Sequence, residues 1–150
     1  MLGFADTSLL CALYRDQDNT AKADAFITRN KEPFAISTLV AFEFRQSVRL
    51  QTFRFSHDRT QGFSKHEAAR MLADFDEDIA ASIIEFLPVN WPDVHSLAER
   101  LSAQHTPSGG HRTLDVLHVA TALHAGMKTF LTFDEQQAAL AKGEGLKVRP

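Results

Sequence analysis

Five short apolar runs, the first four each followed by a segment with helical spacing of apolar residues, restrict the fold of this 150-residue chain more than any other feature. This alternation is typical of strand–helix units that build a parallel sheet. The predicted strands are Met1–Ala5, Phe34–Ser37, Ile83–Val89, Thr129–Thr132 and Leu146–Val148. We therefore predict an α/β fold, and the length predicts a single domain, residues 1–150.

Capping residues and apolar spacing predict the helices between these strands. They are Ser8–Tyr14, Ala21–Thr28, a helix capped by Thr38 and ending near Leu50, Trp91–Ala103, Thr113–Ala125 and Asp134–Lys142. Ser64 and Glu67 have the spacing of a capping box, which predicts a further helix running through Asp78. Composition predicts a linker over residues 51–64, within a helical arm at about 51–85, and a flexible loop over 105–111.

Composition excludes several classes of protein. No apolar run approaches the roughly 18 residues that span a bilayer, and Met1–Tyr14 lacks the basic start and cleavage site of a signal peptide. The single cysteine, Cys11, excludes an internal disulfide and a four-cysteine zinc site, and it suits a reducing compartment. We expect a cytoplasmic protein that does not bind membranes.

Charge is unevenly distributed along the chain. The net charge of −3 argues against a protein that coats nucleic acid through a strongly basic face. The segment Arg45–Arg70 nevertheless carries +4, which leaves −7 for the remainder. This segment is either a solvated helical arm or a basic lip beside an acidic cleft.

Two aspartates follow predicted strands directly. Asp6 comes immediately after the first strand, and Asp134 lies two residues beyond the fourth. Ligands of open parallel sheets bind outside the carboxyl ends of the strands, near the point where the strand order reverses. We therefore expect Asp6 and Asp134 to converge there.

Two further acids lie on predicted inward faces of helices. Glu43 shares a face with Leu39, Ser47 and Leu50, and Asp115 shares one with Val119 and Ala122. A buried carboxylate costs several kcal/mol unless it is paired or binds a cation.

Each acid also has a structural explanation. Asp6 and Asp134 are suitable N-caps, Asp115 suits the start of a helix, and Glu43 can pair with an arginine. No cationic partner is evident at helical spacing on the inward faces, so converging carboxylates would raise one another's pKa values until a divalent cation relieves the repulsion. An all-oxygen site favours Mg²⁺ or Mn²⁺, and such sites serve phosphate-ester hydrolysis by activating water and neutralising charge.

The segments that carry these acids resemble the PIN domain, most closely the VapC-type toxins of bacterial toxin–antitoxin pairs. They are Phe4–Tyr14, Glu43 in the helix after the second strand, Leu114–Leu123 and Phe130–Asp134. The resemblance covers essentially the whole chain. It implies a three-layer α/β/α fold with a short parallel sheet of order 3-2-1-4-5, a Mg²⁺-dependent endoribonuclease acting on RNA (Mn²⁺ as possible substitute), a homodimer and a cognate antitoxin.

The resemblance also implies which residues do the chemistry. Asp6, Glu43, Asp115 and Asp134 would be the catalytic and metal-binding residues, with Asp6 and Asp115 the firmest ligands and Glu43 acting through water. Many relatives carry Asn where this chain has Phe133, so a polar contact there is not expected.

Several other residues are secondary candidates. Thr7 or Ser8 can orient a water or cap the first helix, Thr132 can fix Asp134, and His118 shares a face with Asp115. Arg112, together with His105 and His111, can contact phosphate or belong to a surface loop. Phe53 and Phe55 can stack on bases or pack against a partner.

Three other functions are considered. A phosphorylatable receiver would need paired acids after the first strand and a lysine after the last, but this chain has Asp6-Thr-Ser8 and its Lys147 lies within the last strand. A phosphatase of the haloacid-dehalogenase type would need a second aspartate at position 8. The third is a non-catalytic PIN-like module that binds protein or RNA.

Overall fold

Five parallel strands form one sheet in the order 3-2-1-4-5, as predicted. The structure is a computed structural model that describes residues 1–150. The strands are β1 (Phe4–Ala5), β2 (Phe34–Ile36), β3 (Ile84–Phe86), β4 (Thr129–Leu131) and β5 (Lys147–Arg149). Strand β1 lies in the centre, so the residue that follows it is placed in the middle of the sheet's carboxyl edge.

Seven helices accompany the strands. They are α1 (Thr7–Tyr14), α2 (Thr20–Asn30), α3 (Thr38–His57), α4 (Lys65–Ala80), α5 (Trp91–Gly109), α6 (Thr113–His124) and α7 (Glu135–Gly143). Helices α1–α4 contact one another, and α5–α7 form a second group, consistent with a three-layer α/β/α fold. None of these helices combines the length and the apolar composition needed to cross a membrane.

The central strands are buried on both faces. Every residue of β1 and β2 is buried, and the rings of Phe4 and Phe130 stack across neighbouring strands with centroids 6.0 Å apart. Continuous apolar strands of this kind are expected when helices cover both faces of a parallel sheet. The carboxyl edge is therefore held on a rigid core.

Helix α3 is longer than predicted. It continues to His57, so the predicted linker over residues 51–64 is wrong for residues 51–57. Its N-cap is Ser37, whose hydroxyl accepts from the Val40 amide, and not Thr38. The inward position predicted for Leu50 is also wrong, because this side chain is 43% exposed beyond the part of α3 that covers the sheet.

Helix α5 also extends beyond its predicted end. It continues through Pro107 to Gly109, so the flexible loop predicted over 105–111 is wrong for its first five residues. Proline lacks only one amide donor, and packing of α5 along α6 outweighs the local preference for a loop. Gly110, with φ of 66°, ends the helix in the left-handed conformation that glycine adopts without strain.

Helix α4 begins at the predicted position. Ser64 and Glu67 form a complete capping box at the start of α4. Tyr14, Phe44 and Phe75 then join α1, α3 and α4 through ring contacts of 4.8–5.6 Å. This aromatic cluster fixes α3 against α1, and thereby positions Glu43.

Candidate active site

Asp6 lies at the carboxyl end of the central strand and is completely buried. Its Oδ1 accepts from the Leu9 amide at 3.1 Å, so Asp6 is the N-cap of α1 as well as a candidate ligand. The Ser8 hydroxyl donates to the same oxygen at 2.7 Å, and the Thr132 hydroxyl donates to Oδ2 at 2.7 Å. The structural and functional explanations of Asp6 are therefore compatible.

Thr132 and Ser8 link the ends of strands β1 and β4. The Thr132 Oγ1 accepts from the Asp134 amide at 2.9 Å while donating to Asp6. The Ser8 Oγ accepts from the Phe133 amide at 2.8 Å. Each hydroxyl both donates and accepts a hydrogen bond. The two aspartates at neighbouring strand ends are therefore held by one hydrogen-bond network.

Burial dominates the electrostatics of Asp6. It raises the pKa of this carboxyl from 3.8 to about 6, although hydrogen bonds from Thr132, Ser8 and the Leu9 amide favour the charged form. No arginine or lysine contacts Asp6. The carboxylate is therefore costly when ionised and would be favoured by a nearby cation.

Asp115 and Asp134 contact the same cation, the guanidinium of Arg112. The Arg112 Nε donates to Asp115 Oδ2 at 2.8 Å, and Nη2 donates to Asp134 Oδ2 at 3.1 Å. Asp115 lies in the first turn of α6, and Asp134 caps α7 through Oδ1, which accepts from the amides of Gln136 and Gln137. Two carboxylates from different elements thus converge at one point.

Glu43 forms a second cluster with residues of α1 and α6. Its Oε2 accepts from the Thr7 hydroxyl and from His118 Nε2, the latter at 2.6 Å. Because an ionised carboxylate only accepts, Nε2 of His118 carries the proton. His118 is buried and its Nδ1 has no partner. Oε1 of Glu43 accepts no hydrogen bond from the protein.

The net effect of these contacts is to keep Glu43 charged. Partial burial raises the pKa of its carboxyl, but the hydrogen bonds from His118 and Thr7 outweigh burial and hold the pKa below its usual value. The positive charge of Arg112 acts in the same direction. The side chain of Glu43 is 30% exposed, so its predicted inward orientation is only partly correct.

The structure brings the primary and secondary candidates together in three neighbouring clusters at one edge of the sheet. The contacts are Asp6 with Ser8 and Thr132, Asp115 and Asp134 with Arg112, and Glu43 with Thr7 and His118. His105 lies elsewhere, because its Nε2 pairs with Glu144 at 2.7 Å. Phe53 packs against His57, and the Phe55 ring lies under Arg59.

The expectation that Asp115 lacks a cationic partner is wrong. Arg112 precedes Asp115 by three residues and reaches it from the N-cap position of α6. Arg112 does not occupy an inward helical position, because the N-cap residue lies outside the helix. A basic N-cap three residues before an acid is the signal that would have revealed this pair.

The donor set suits a divalent cation of the Mg²⁺ type. No group of three or more His, Cys, Asp and Glu side chains is arranged to hold a metal ion. The guanidinium nevertheless stands where these carboxylates share a positive charge, and Asp6 is buried without a cationic partner. All these donors are carboxylate oxygens, which Mg²⁺ and Mn²⁺ prefer.

Several solved structures share this fold. A sarcin–ricin loop cleaving VapC toxin of Mycobacterium tuberculosis is 19% identical with a TM-score of 0.67, covering 98% of each chain. FitAcB from Neisseria gonorrhoeae is 17% identical with a TM-score of 0.66, covering 100% of this chain and 97% of its own. VapBC2 from Rickettsia felis, bound to a promoter DNA fragment, is 16% identical with a TM-score of 0.63, covering 99% and 97%.

Sequence comparison gives the family directly. No curated protein matches this chain. The PIN domain family matches residues 4–143, a span that begins at β1 and contains Asp6, Glu43, Asp115 and Asp134. The chain belongs to the PIN domain family.

Proposed function

We propose that this protein is a metal-dependent endoribonuclease that hydrolyses RNA phosphodiester bonds and acts as the toxin of a toxin–antitoxin pair. Family membership supports a nuclease, and the fold shared with VapC and FitAcB structures supports the toxin role. Mg²⁺ is the proposed cofactor, with Mn²⁺ as a substitute. The proposed partners are a cognate antitoxin and a second copy of this chain.

One observation carries the proposal. Asp115 and Asp134 direct oxygens at a single positive charge, at the edge of the sheet where the central strand ends in buried Asp6. A protein built only for stability has no need to gather three carboxylates there, because each of them costs free energy when ionised near the others.

The four acids would have two roles, binding the cation and holding or deprotonating a water. Asp6, Asp115 and Asp134 would hold the cation, and Glu43 would accept a proton from water or hold that water through its free Oε1. When bound, a divalent cation supplies activation of water and neutralisation of the charge that develops on the phosphate. Thr132, Ser8 and Thr7 would keep the carboxylates oriented.

Two exposed aromatic side chains on helix α3 support the proposed dimer. Phe42 and Phe53 are each 59% exposed and lie about three turns apart on one face of α3. Exposed aromatic side chains that share a helix face are typical of an interface between proteins.

The test is cleavage of a mixed pool of transfer and ribosomal RNA with Mg²⁺ or Mn²⁺ and with EDTA. We expect discrete fragments that require the metal and that disappear in the Asp115→Asn protein. The matched control is Asp93→Asn, which makes the same substitution in the first turn of α5, away from the site. It should cleave as the unmodified protein does.

The Asp115→Asn protein, purified identically, also reveals contaminating ribonucleases, which would give the same fragments in every preparation. Equal cleavage by the Asp115→Asn protein would contradict the proposal. Metal binding without cleavage of any RNA would favour the alternative, a non-catalytic PIN-like module that binds RNA or protein.

A further inference from the structure

Arg112 occupies the point at which two proposed metal ligands meet. Its Nε and Nη2 donate to Asp115 Oδ2 and Oδ1 at 2.8 and 3.3 Å, and Nη2 also donates to Asp134 Oδ2 at 3.1 Å. A guanidinium that spans two carboxylates in this way replaces the positive charge of a metal ion, although it cannot enter the coordination sphere of one.

Exposure differs sharply between the partners. The Arg112 side chain is 72% exposed, whereas those of Asp115 and Asp134 are 6% and 24% exposed. Asp134 is also held by the Gln136 and Gln137 amides, and Asp115 is buried, whereas Arg112 is held at this point only by its hydrogen bonds to these two carboxylates. Rotation of its side chain into water therefore removes it without disturbing the core.

The backbone of Arg112 keeps the guanidinium close to the site after such a rotation. Arg112 is the N-cap of α6, and the Val116 amide donates to its carbonyl at 3.1 Å. A tethered cation competes with a free one at a high effective concentration, so the competition does not depend on protein concentration.

We propose that Arg112 is a built-in competitor for the divalent cation, holding Asp115 and Asp134 in the metal-free protein and leaving them when the metal binds. The inference rests on the proposed function, because it concerns the same metal site. It assigns Arg112 a role in metal loading.

The experiment is calorimetric titration of Mn²⁺ into the metal-free protein and into its Arg112→Gln variant. We expect the variant to bind Mn²⁺ roughly tenfold more tightly, which corresponds to loss of one partly exposed charge-assisted pair. The folded state of the variant is checked by its thermal transition, which should remain cooperative and begin above the temperature of the titration, although the loss of the guanidinium leaves two carboxylates unpaired and lowers stability.

Two controls separate contact from net charge. Lys22→Gln removes one positive charge next to the site, where Lys22 lies 5.4 Å from the Phe133 ring centroid and contacts neither aspartate. It should change Mn²⁺ affinity less than twofold at physiological salt, where such charges are screened. Arg112→Lys keeps the positive charge but lacks the planar guanidinium. Its affinity for Mn²⁺ should fall between those of the unmodified protein and Arg112→Gln.

A spectroscopic readout follows the arginine itself. The Nε–H signal of Arg112, assigned by its loss in Arg112→Gln, should shift during Mg²⁺ titration of the unmodified protein as the bond to Asp115 breaks. An unchanged signal at saturating Mg²⁺ would contradict the inference.

The outcomes distinguish this inference from the proposed function. Equal or weaker Mn²⁺ binding by Arg112→Gln overturns the inference and leaves a ribonuclease possible. Tighter binding without RNA cleavage supports the inference and counts against the ribonuclease. If neither protein binds Mn²⁺, both are overturned.

Discussion

His118 Nε2 donates a hydrogen bond to Glu43 Oε2 at 2.6 Å, joining α6 to α3 across 75 residues of sequence. The imidazole is 1% exposed and is held by the packing around it, so it fixes the carboxylate on the wall of the site. The hydrogen bonds from His118 and Thr7 both use Oε2, so Oε1 of Glu43 accepts no hydrogen bond from the protein.

Replacement of His118 by leucine should slow metal-dependent RNA cleavage by about 10- to 100-fold, the usual cost of losing a residue that orients a ligand. Glu43 should also become harder to ionise, because His118 contributes to its lowered pKa. The acidic limb of the pH–rate profile should therefore move to higher pH. His118→Gln, whose amide can still donate to Glu43, should recover part of the rate; equal loss in both variants would assign His118 to packing alone.

Asp6→Asn should change the pH dependence of stability in EDTA. The pKa of Asp6 rises from 3.8 to about 6 on folding, so its stabilising contribution is present below about pH 4 and disappears as the pH rises through 6. At pH 8 the ionised group costs about 3 kcal/mol, or roughly 6–12 °C in melting temperature. We expect Asp6→Asn to gain melting temperature relative to the unmodified protein between pH 4 and 8. Parallel curves would show that burial of Asp6 carries no such cost.

Glu144 should matter for stability and not for cleavage. It accepts from Arg100 at 2.9 Å and His105 at 2.7 Å, connecting α5 to the end of α7. Burial raises the pKa of Glu144, but these hydrogen bonds outweigh burial and hold the pKa below its ordinary value. The contribution of Glu144 to folding stability is therefore present at neutral pH and is lost as the pH falls from the ordinary pKa through the lowered one. Glu144→Gln should cost about 1 kcal/mol at pH 7 by denaturant unfolding, with unchanged cleavage. Reduced cleavage at unchanged stability would instead connect His105 to the substrate.

The exposed face of α3 should control the oligomeric state. Replacing Phe42 and Phe53 together by serine removes the two most exposed large apolar side chains of the protein. We expect light scattering after size exclusion to show a dimer for the unmodified protein and a monomer for the double variant. Phe86→Ser, which removes an exposed aromatic side chain outside α3, serves as the control. A monomer in every case would remove the support for a homodimer.

Asp6 and Asp134 follow apolar strands, and the parallel pairing of β1 with β4 places the ends of these strands together, so the convergence of these two acids could be predicted from the sequence pattern. The strand order is implied by the resemblance to the PIN domain and not by the pattern itself. Contacts between elements that are distant in the chain could not be predicted from the sequence. The pairing of His118 with Glu43 depends on how α6 and α3 pack, and that packing is invisible to helical periodicity within either segment.

The errors have a common physical cause, since local composition is a weak guide where tertiary packing is strong. Helix α5 passes through Pro107 because it packs along α6, and α3 runs past Leu50 into a polar stretch that resembles a linker. The sequence leaves two roles open for Arg112, contact with phosphate or a place in a surface loop, because a residue outside a helix has no predictable face.

The helix caps formed by Asp6 and Asp134 restrict how these carboxylates can serve a cation. Oδ1 of Asp134 is occupied by two amides of α7, and Oδ1 of Asp6 by the Leu9 amide and the Ser8 hydroxyl. Oδ2 of Asp6 accepts only from hydroxyl groups, including that of Thr132, so each aspartate can offer a cation little more than this one oxygen. Ca²⁺ favours bidentate carboxylates and six to eight ligands, whereas Mg²⁺ completes a smaller octahedron with water. The starts of these two helices would thus favour the smaller Mg²⁺ over Ca²⁺.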